Sequence, residues 1–99
     1  MRVVYTDTAR RHIAAQIGYL VDQGAVAPAR RLRSRIQSFI MKFLVRHPRA
    51  ARHIREQNIY ETWIPRTPYV IMYRLDADAD TLTIVALFHT SQDRFQLTP

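Results

Sequence analysis

Residues 64–74, with the sequence IPRTPYVIMYR, constrain the fold of this chain more than any other segment. After a Thr-Pro entry, β-branched and aromatic residues dominate the stretch from Tyr69 to Tyr73, which is typical of a strand within a sheet. Residues 59–64 and 81–88 are also predicted strands, and the second of these is apolar on both faces from Ile84 onward. The sequence therefore predicts three strands that pair as an antiparallel meander, with 81–88 inside the sheet.

Two amphipathic helices are predicted ahead of these strands. In the first, Thr6 or Asp7 can cap the N-terminus, and Gln23-Gly24 marks the end. Its apolar residues recur at spacings of three and four and are Ala9, Ile13, Ile17, Leu20 and Val21. The second helix begins near Pro28 and stops at His47-Pro48. Its apolar stripe consists of Leu32, Ile36, Phe39, Ile40 and Phe43.

The remaining segments complete the predicted order β-α-α-β-β-β. Residues 2–6 form a short opening strand, whereas residues 49–58 show no periodic pattern and are expected to be irregular. At 99 residues the chain is long enough for one hydrophobic core and too short for two. We therefore predict a single α+β domain, residues 1–99, in which a helical hairpin packs on a mainly antiparallel sheet.

Charge is distributed unevenly along the chain, whose formal net charge is +7. Residues 1–55 contain twelve basic and two acidic residues, whereas residues 56–99 contain three basic and six acidic residues. The helical half therefore carries a strong positive charge, which favours an acidic partner such as a nucleic acid or an acidic protein segment. Fourteen of the fifteen basic residues are arginine, which suits recognition of carboxylate or phosphate but is equally expected from a GC-rich genome.

Several functional classes are excluded by residue type. The chain has no cysteine, which rules out disulfides and thiolate metal sites and fits a reducing cytoplasm. The first residues lack the apolar segment of a signal peptide, and no apolar run is long enough to cross a bilayer. The four histidines show no metal-ligand spacing, and no glycine-rich phosphate loop is present. We therefore expect a cytoplasmic protein without a membrane, metal or cofactor.

Local motifs follow the predicted elements in an order that resembles the RelE/ParE superfamily of small bacterial toxins, most closely its ParE branch. A basic loop follows the second helix. The second of the three meander strands reads Thr-Pro-Tyr-Val-Ile-x-Tyr-Arg, and the last strand ends in histidine before a polar tail. The matching positions are His47-Pro48, Arg52, Glu61, Thr67 to Ile71, Tyr73-Arg74, His89 and Gln92-Asp93. Two positions depart from the pattern, because Ala51 stands where glycine is common and Tyr60 where arginine is common.

This resemblance implies the toxin of a type II toxin–antitoxin system. ParE-like members block DNA gyrase, RelE-like members cut mRNA on the ribosome, and each is neutralised by an antitoxin encoded beside it. We therefore expect a ParE-like inhibitor of an essential target such as gyrase, held inactive by an acidic, partly disordered, ParD-like antitoxin. Two alternatives remain open, namely a RelE-like mRNA endonuclease and a non-toxic basic protein-interaction module.

A metal-independent ribonuclease needs a base, an acid and positive charge that converge on one phosphate. The candidates for such a set here are His89, Arg74, Arg66 and Glu61. The resemblance places a catalytic arginine of the ribonuclease branch three residues before Tyr73, and this chain has Val70 there. Valine cannot stabilise a phosphorane, so the set is incomplete and an enzymatic activity is not expected.

Binding candidates are charged or aromatic residues that the predicted core does not require. For the target these are Arg49, Arg52, Trp63 and Arg94, in the basic loop, the first meander strand and the polar tail. For the antitoxin they are Arg31, Arg35 and Lys42, which lie opposite the apolar stripe of the second helix. Direct binding of nucleic acid is left open by the sequence.

Overall fold

The computed structural model describes residues 1–91. Its elements are β1 (Arg2–Tyr5), α1 (Asp7–Asp22), α2 (Val26–Ser38), a π-helical turn (Phe39–Leu44), β2 (Arg52–Ile54), a 3-10 turn (Arg55–Gln57), β3 (Ile59–Trp63), β4 (Tyr69–Asp76) and β5 (Thr81–His89). The strands form one sheet in the order β1-β5-β4-β3-β2. Only the β1–β5 pairing is parallel. The predicted α+β class, with a helical hairpin on a mainly antiparallel sheet, is confirmed.

The hydrophobic core lies between the helical hairpin and one face of the sheet. Tyr69, Ile71 and Tyr73 alternate along β4 toward the helices and are buried there. Strand β5 runs between β1 and β4, as its two apolar faces predict, and its Leu82 and Ile84 are fully buried. The pattern of side chains in β4 and β5 therefore fixes which face of the sheet the helices cover.

Thr6 fixes the start of α1 to the sheet. Its hydroxyl accepts a hydrogen bond from the backbone N–H of Ala9 at 3.0 Å, which confirms the predicted N-cap. The same hydroxyl donates to the carbonyl oxygen of Val85 in β5 at 2.9 Å. At the other end of α1, Gly24 has φ +77°, a left-handed conformation that glycine adopts at little steric cost. The chain can therefore reverse there into α2.

Residues 49–58 are not irregular throughout, contrary to the sequence prediction. Strand β2 pairs antiparallel with β3 and brings His53 opposite Tyr60. Asn58 then reverses the chain in a left-handed conformation with φ 51°. A strand of three residues is too short to show alternation, which explains why the sequence pattern does not reveal it.

The second apolar stripe also differs from its prediction near its end. Within the π-helical turn, the backbone N–H of Val45 donates to the carbonyl oxygen of Ile40, five residues earlier. The wider turn rotates later side chains around the axis, so Ile40 and Leu44 are buried while Phe43 is exposed and stacks on Phe39. Val21, at the end of the α1 stripe, is likewise exposed.

Candidate functional site

A groove of about 440 Å³ lies where the end of α1, the start of α2, the β3–β4 turn and the end of β5 meet. We call it the basic groove. Among residues 1–91 its walls carry three arginines and one histidine but no aspartate or glutamate; the lining residues are Gln16, Tyr19, Leu20, Pro28, Arg31, Leu32, Arg35, Arg66, Thr67, Pro68, Tyr69 and His89. The basic groove therefore combines positive charge with an apolar and aromatic surface.

The β3–β4 turn places Arg66 in this groove through a strained backbone. Arg66 has φ 61°, a left-handed conformation that costs a non-glycine residue about 1–3 kcal/mol. Thr67 stabilises the turn, because its hydroxyl donates to the carbonyl oxygen of Ile64 at 2.8 Å and accepts from the N–H of Tyr69 at 3.2 Å. From α2, the guanidinium of Arg35 donates to the carbonyl oxygen of Arg66 at 3.3 Å. Two arginines from distant parts of the sequence are thereby held together.

Tyr69 and His89 form the inner wall of the basic groove. They are cross-strand partners on β4 and β5, and their rings meet edge to face with centroids 5.4 Å apart. The hydroxyl of Tyr69 donates to Oε1 of Gln16 at 3.2 Å, and burial raises the pKa of Tyr69. His89 Nδ1 accepts a hydrogen bond from the N–H of Ser91 at 3.1 Å. Both rings are therefore held in position by neighbours, and the tyrosine stays protonated at neutral pH.

The four nuclease candidates do not converge on one point. Arg66 and His89 line the basic groove, whereas Arg74 lies toward the opposite end of β4, beside Asp76 and Asp78. Five residues of extended strand separate His89's partner Tyr69 from Arg74, a distance of about 16 Å.

The fourth candidate, Glu61, is opposite Met72 on the face of the sheet that points away from the helices. Val70, which stands where the ribonuclease branch carries arginine, is only 1% exposed. The described residues therefore do not assemble an acid, a base and positive charge around one phosphate.

The target-binding candidates lie elsewhere. Arg49 is exposed in the loop before β2, and Arg52 is exposed on β2 opposite Glu61. Trp63 is 57% exposed on β3 and shares the outer face of the sheet with Arg52. Arg94 lies outside the described residues. Arg52 pairs with Glu61, which is two positions before Trp63 on β3. The outer face therefore presents an arginine and a tryptophan close to each other.

The antitoxin-binding candidates separate into two places. Arg31 and Arg35 are one helical turn apart on α2 and both line the basic groove. Lys42 is exposed on the π-helical turn and is not part of the groove lining. A second groove, of about 310 Å³, lies between α1 and α2 on the β1 side and contains Arg10 and Arg33 among mainly apolar neighbours.

A stack of three rings, missed by the sequence analysis, joins the basic loop to the sheet. His53 stacks on Tyr60 with centroids 4.4 Å apart, and Tyr60 stacks on Tyr73 at 5.3 Å. The hydroxyl of Tyr73 donates to the carbonyl oxygen of Pro48 at 2.7 Å. Burial, with a smaller effect from Tyr60, raises the pKa of Tyr73 to about 12. Tyr60, one of the two departures from the family pattern, therefore acts as a packing residue that holds the loop carrying Arg49 and Arg52.

His12 is a second residue whose role no sequence pattern indicates. Its Nδ1 accepts a hydrogen bond from the backbone N–H of Leu87 at 3.3 Å, at the edge of β5 beyond the end of β1. This bond requires an unprotonated Nδ1. Burial lowers the pKa of His12, and the positive charge of Arg11 lowers it further. The site therefore favours the neutral imidazole.

Two further features are absent from residues 1–91, namely a cluster of metal ligands and a helix that could cross a bilayer. No group of three or more histidine, cysteine or carboxylate residues is arranged to hold a metal ion in that range. Across the same residues, no helix combines the length and the apolar character that crossing a bilayer requires.

Comparison with known proteins identifies relatives at the level of family and fold. The family profile described as "ParE toxin of type II toxin-antitoxin system, parDE" matches residues 3–94. A solved structure of the chromosomal ParDE system from P. aeruginosa matches with a TM-score of 0.67 and 14% identity, covering 90% of this chain and 95% of that chain.

The RelBE2 toxin–antitoxin complex from Mycobacterium tuberculosis matches with a TM-score of 0.66 and 24% identity, covering 89% of this chain and 95% of that chain. At these identities the two structures support the fold alone. A comparison with curated proteins gives no match.

Proposed function

Because the chain belongs to the ParE toxin family of type II toxin–antitoxin systems, we propose that it inhibits DNA gyrase by binding it and not by cleaving RNA. The observation that carries this proposal is the separation of the nuclease candidates. Arg66 and His89 lie at one end of β4, and Arg74 lies toward the other. Catalysis of phosphoryl transfer requires groups within hydrogen-bond reach of one substrate, whereas inhibition by binding requires only an exposed surface.

The proposed target-binding surface consists of Arg49, Arg52 and Trp63. All three are exposed, and the ring stack of His53, Tyr60 and Tyr73 holds the segment with Arg49 and Arg52 against the sheet that carries Trp63. Arginine and tryptophan are the residue types that most often dominate the affinity of protein interfaces. A cytoplasmic location, where gyrase acts, is part of the same proposal.

An assay of gyrase supercoiling with the purified chain tests this proposal. The parent protein should inhibit supercoiling, and the Arg49→Ala/Arg52→Ala double variant should inhibit it at least about tenfold less well because it lacks two interface guanidinium groups. The matched control is Arg10→Ala/Arg11→Ala, which removes two exposed charges from α1 and should leave inhibition unchanged. If the parent protein does not affect gyrase at any concentration, gyrase is not the target.

A second assay addresses the mRNA endonuclease directly. The purified chain added to a translating extract should leave mRNA intact, as measured by primer extension. Codon-phased cleavage that disappears in a His89→Ala variant would contradict the binding mechanism and establish the alternative. If expression of the chain does not arrest growth and neither assay responds, the chain is a non-toxic interaction module.

We also propose that an acidic, ParD-like antitoxin neutralises the chain through the basic side of the helical hairpin. Arg31, Arg35 and Lys42 are exposed there, and the basic groove adds apolar surface from Leu20 and Leu32. A partly disordered acidic segment can lay carboxylates on the arginines and apolar side chains in the groove as it folds. Binding should raise the thermal midpoint of the toxin and weaken as salt concentration rises.

A further inference from the structure

We propose that the basic groove is a binding site for a nucleoside polyphosphate. The phosphate groups would lie among Arg31, Arg35 and Arg66, and the base would lie against the ring of Tyr19. This site is distinct from the outer-face surface proposed for gyrase, but it shares Arg31 and Arg35 with the surface proposed for the antitoxin, so the nucleotide and the antitoxin should compete for it. The proposal does not depend on the identity of the toxin's target.

Charge is the first reason. Three guanidinium groups line one groove, and the part of the chain that the structure describes, residues 1–91, contributes no carboxylate to its walls. A single peptide carboxylate would neutralise one of them, whereas each terminal phosphate carries about −1.5 to −2 charges at pH 7. A polyphosphate therefore balances the charge of this groove with one ligand. Arginine is also the side chain whose planar fork matches two phosphate oxygens at once.

Preorganisation is the second reason. Arg35 is anchored at 3.3 Å to the backbone oxygen of Arg66, and this contact uses one of the five N–H groups of its guanidinium. Arg66 is held in a left-handed conformation by the hydrogen bonds of Thr67 on either side. The guanidinium of Arg35 and the backbone of Arg66 are thus in position before a ligand arrives, which lowers the entropic cost of binding.

Shape and surface are the third reason. The volume of about 440 Å³ falls within the range of small-molecule sites and suits one nucleotide. Tyr19 is 63% exposed at the rim of the groove, so the face of its ring is accessible to a base. Stacking on an aromatic ring tolerates any base, because every base has a π-face. The groove therefore predicts weak discrimination between ATP and GTP.

Titration calorimetry of the full chain with ATP, GTP and inorganic tripolyphosphate tests the proposal. All three anions should bind, and Arg35→Gln or Arg66→Asn should weaken each by about tenfold. Asparagine is chosen at position 66 because it tolerates the left-handed backbone. Tyr19→Ala should weaken ATP and GTP but not tripolyphosphate, which separates the base contact from the phosphate contacts.

Arg33→Gln is the matched control, because Arg33 is exposed on the same helix but lines the second groove. It should bind the nucleotides as the parent does, and the melting temperatures of all variants should agree. Absence of nucleotide binding at millimolar concentration would overturn the proposal, as would equal weakening by Arg33→Gln. If the antitoxin shifts the NMR signals of Arg31, Arg35 and Arg66 but neither nucleotide does, the groove belongs to the peptide instead.

Discussion

The two ends of β4 carry opposite chemistry. At the end where the strand begins, the basic groove gathers Arg31, Arg35, Arg66 and His89, and no carboxylate of residues 1–91 lines it. At the end where it finishes, the turn into β5 carries Asp76, Asp78 and Asp80, with Arg74 beside them.

The basic end is built from four elements that are far apart in the sequence, whereas the acidic end is one local turn. In that turn, Asp76 accepts a hydrogen bond from the N–H of Ala79 at 3.1 Å, and Asp80 pairs with the terminal amine at 3.5 Å. Two of the three carboxylates at the acidic end, those of Asp76 and Asp80, therefore have local partners. Within residues 1–91 the arginines of the basic end face no carboxylate, and on this ground we propose the basic end as the one that binds a negatively charged partner.

The largest expected effect on stability comes from a residue that lies between the two ends of β4. Tyr73 is fully buried in the middle of β4 and connects the sheet to the basic loop. Tyr73→Ala should lower the free energy of unfolding by about 3–5 kcal/mol because it leaves a cavity beneath the helices. Tyr73→Phe keeps the ring and should cost only about 1 kcal/mol for the lost hydrogen bond to Pro48. Urea unfolding measures both values. If Tyr73→Phe lowers the free energy of unfolding as much as Tyr73→Ala does, the hydroxyl contributes more to stability than the ring.

Charge reversal compares the two ends directly. Arg31→Glu/Arg35→Glu should weaken association with the antitoxin by more than about tenfold, because attraction at the groove becomes repulsion. Asp78→Lys, an exposed change at the acidic end, should leave the affinity almost unchanged. Surface plasmon resonance at two salt concentrations measures both effects. The functional distinction between the ends fails if the two variants bind the antitoxin equally.

Acid should affect His12, which lies beside the strand that carries His89. The unfolded chain binds a proton on His12 near its ordinary pKa of 6.5, whereas the folded chain binds it at a lower pH because burial lowers the pKa. The stability that this difference provides is complete above pH 6.5 and is lost as the pH falls from there through the folded-state pKa.

A His12→Gln variant offers an amide oxygen to the N–H of Leu87 and does not titrate. Denaturant unfolding from about pH 7.5 to about pH 5 should therefore show a shallower loss of stability in His12→Gln than in the parent. If the free energy of unfolding falls equally steeply with pH in both proteins, His12 has the same pKa in the folded and unfolded states.

The smallest effect on stability is expected from a substitution at the acidic end. Asp80→Asn removes the ion pair with the terminal amine but keeps a residue that tolerates the left-handed backbone at φ 48°. The carboxylate of Asp80 is mostly exposed, and exposed ion pairs contribute roughly 0–1 kcal/mol. Calorimetry should therefore find a melting temperature within about 5 °C of the parent's. A larger decrease would show that the acidic turn is more than a local connection.

The fold followed from sequence patterns that reach across a few neighbouring residues. The alternation in β4, the two-sided apolar character of β5 and the cap at Thr6 are all local signals, and each predicted its element correctly. Strand β2 and the position of Phe43 were missed for the opposite reason. A three-residue strand shows no period, and a π-helical turn changes the helical period without any change in residue type.

The candidate site could be predicted only in part. Periodicity indicated that Arg31 and Arg35 point away from the apolar stripe, but not that the β3–β4 turn would bring Arg66 to them. That contact depends on the tertiary approach of α2 to the sheet and on a left-handed arginine, which the sequence does not favour. The roles of His12 and Tyr60 were missed because each depends on a partner from a different strand.

The contact between His12 and Leu87 also bears on how the molecule avoids association with copies of itself. Among residues 1–91, β1 pairs with residues 81–84 of β5 and no strand continues this pairing along the second half of β5, which would otherwise present a strand edge. Such an edge can accept a strand from another chain and begin sheet-to-sheet aggregation. A histidine ring from α1 occupies the N–H of Leu87 at this edge. At the opposite edge, β2 is only three residues long and carries an exposed arginine, so both borders of the sheet offer little to a second chain.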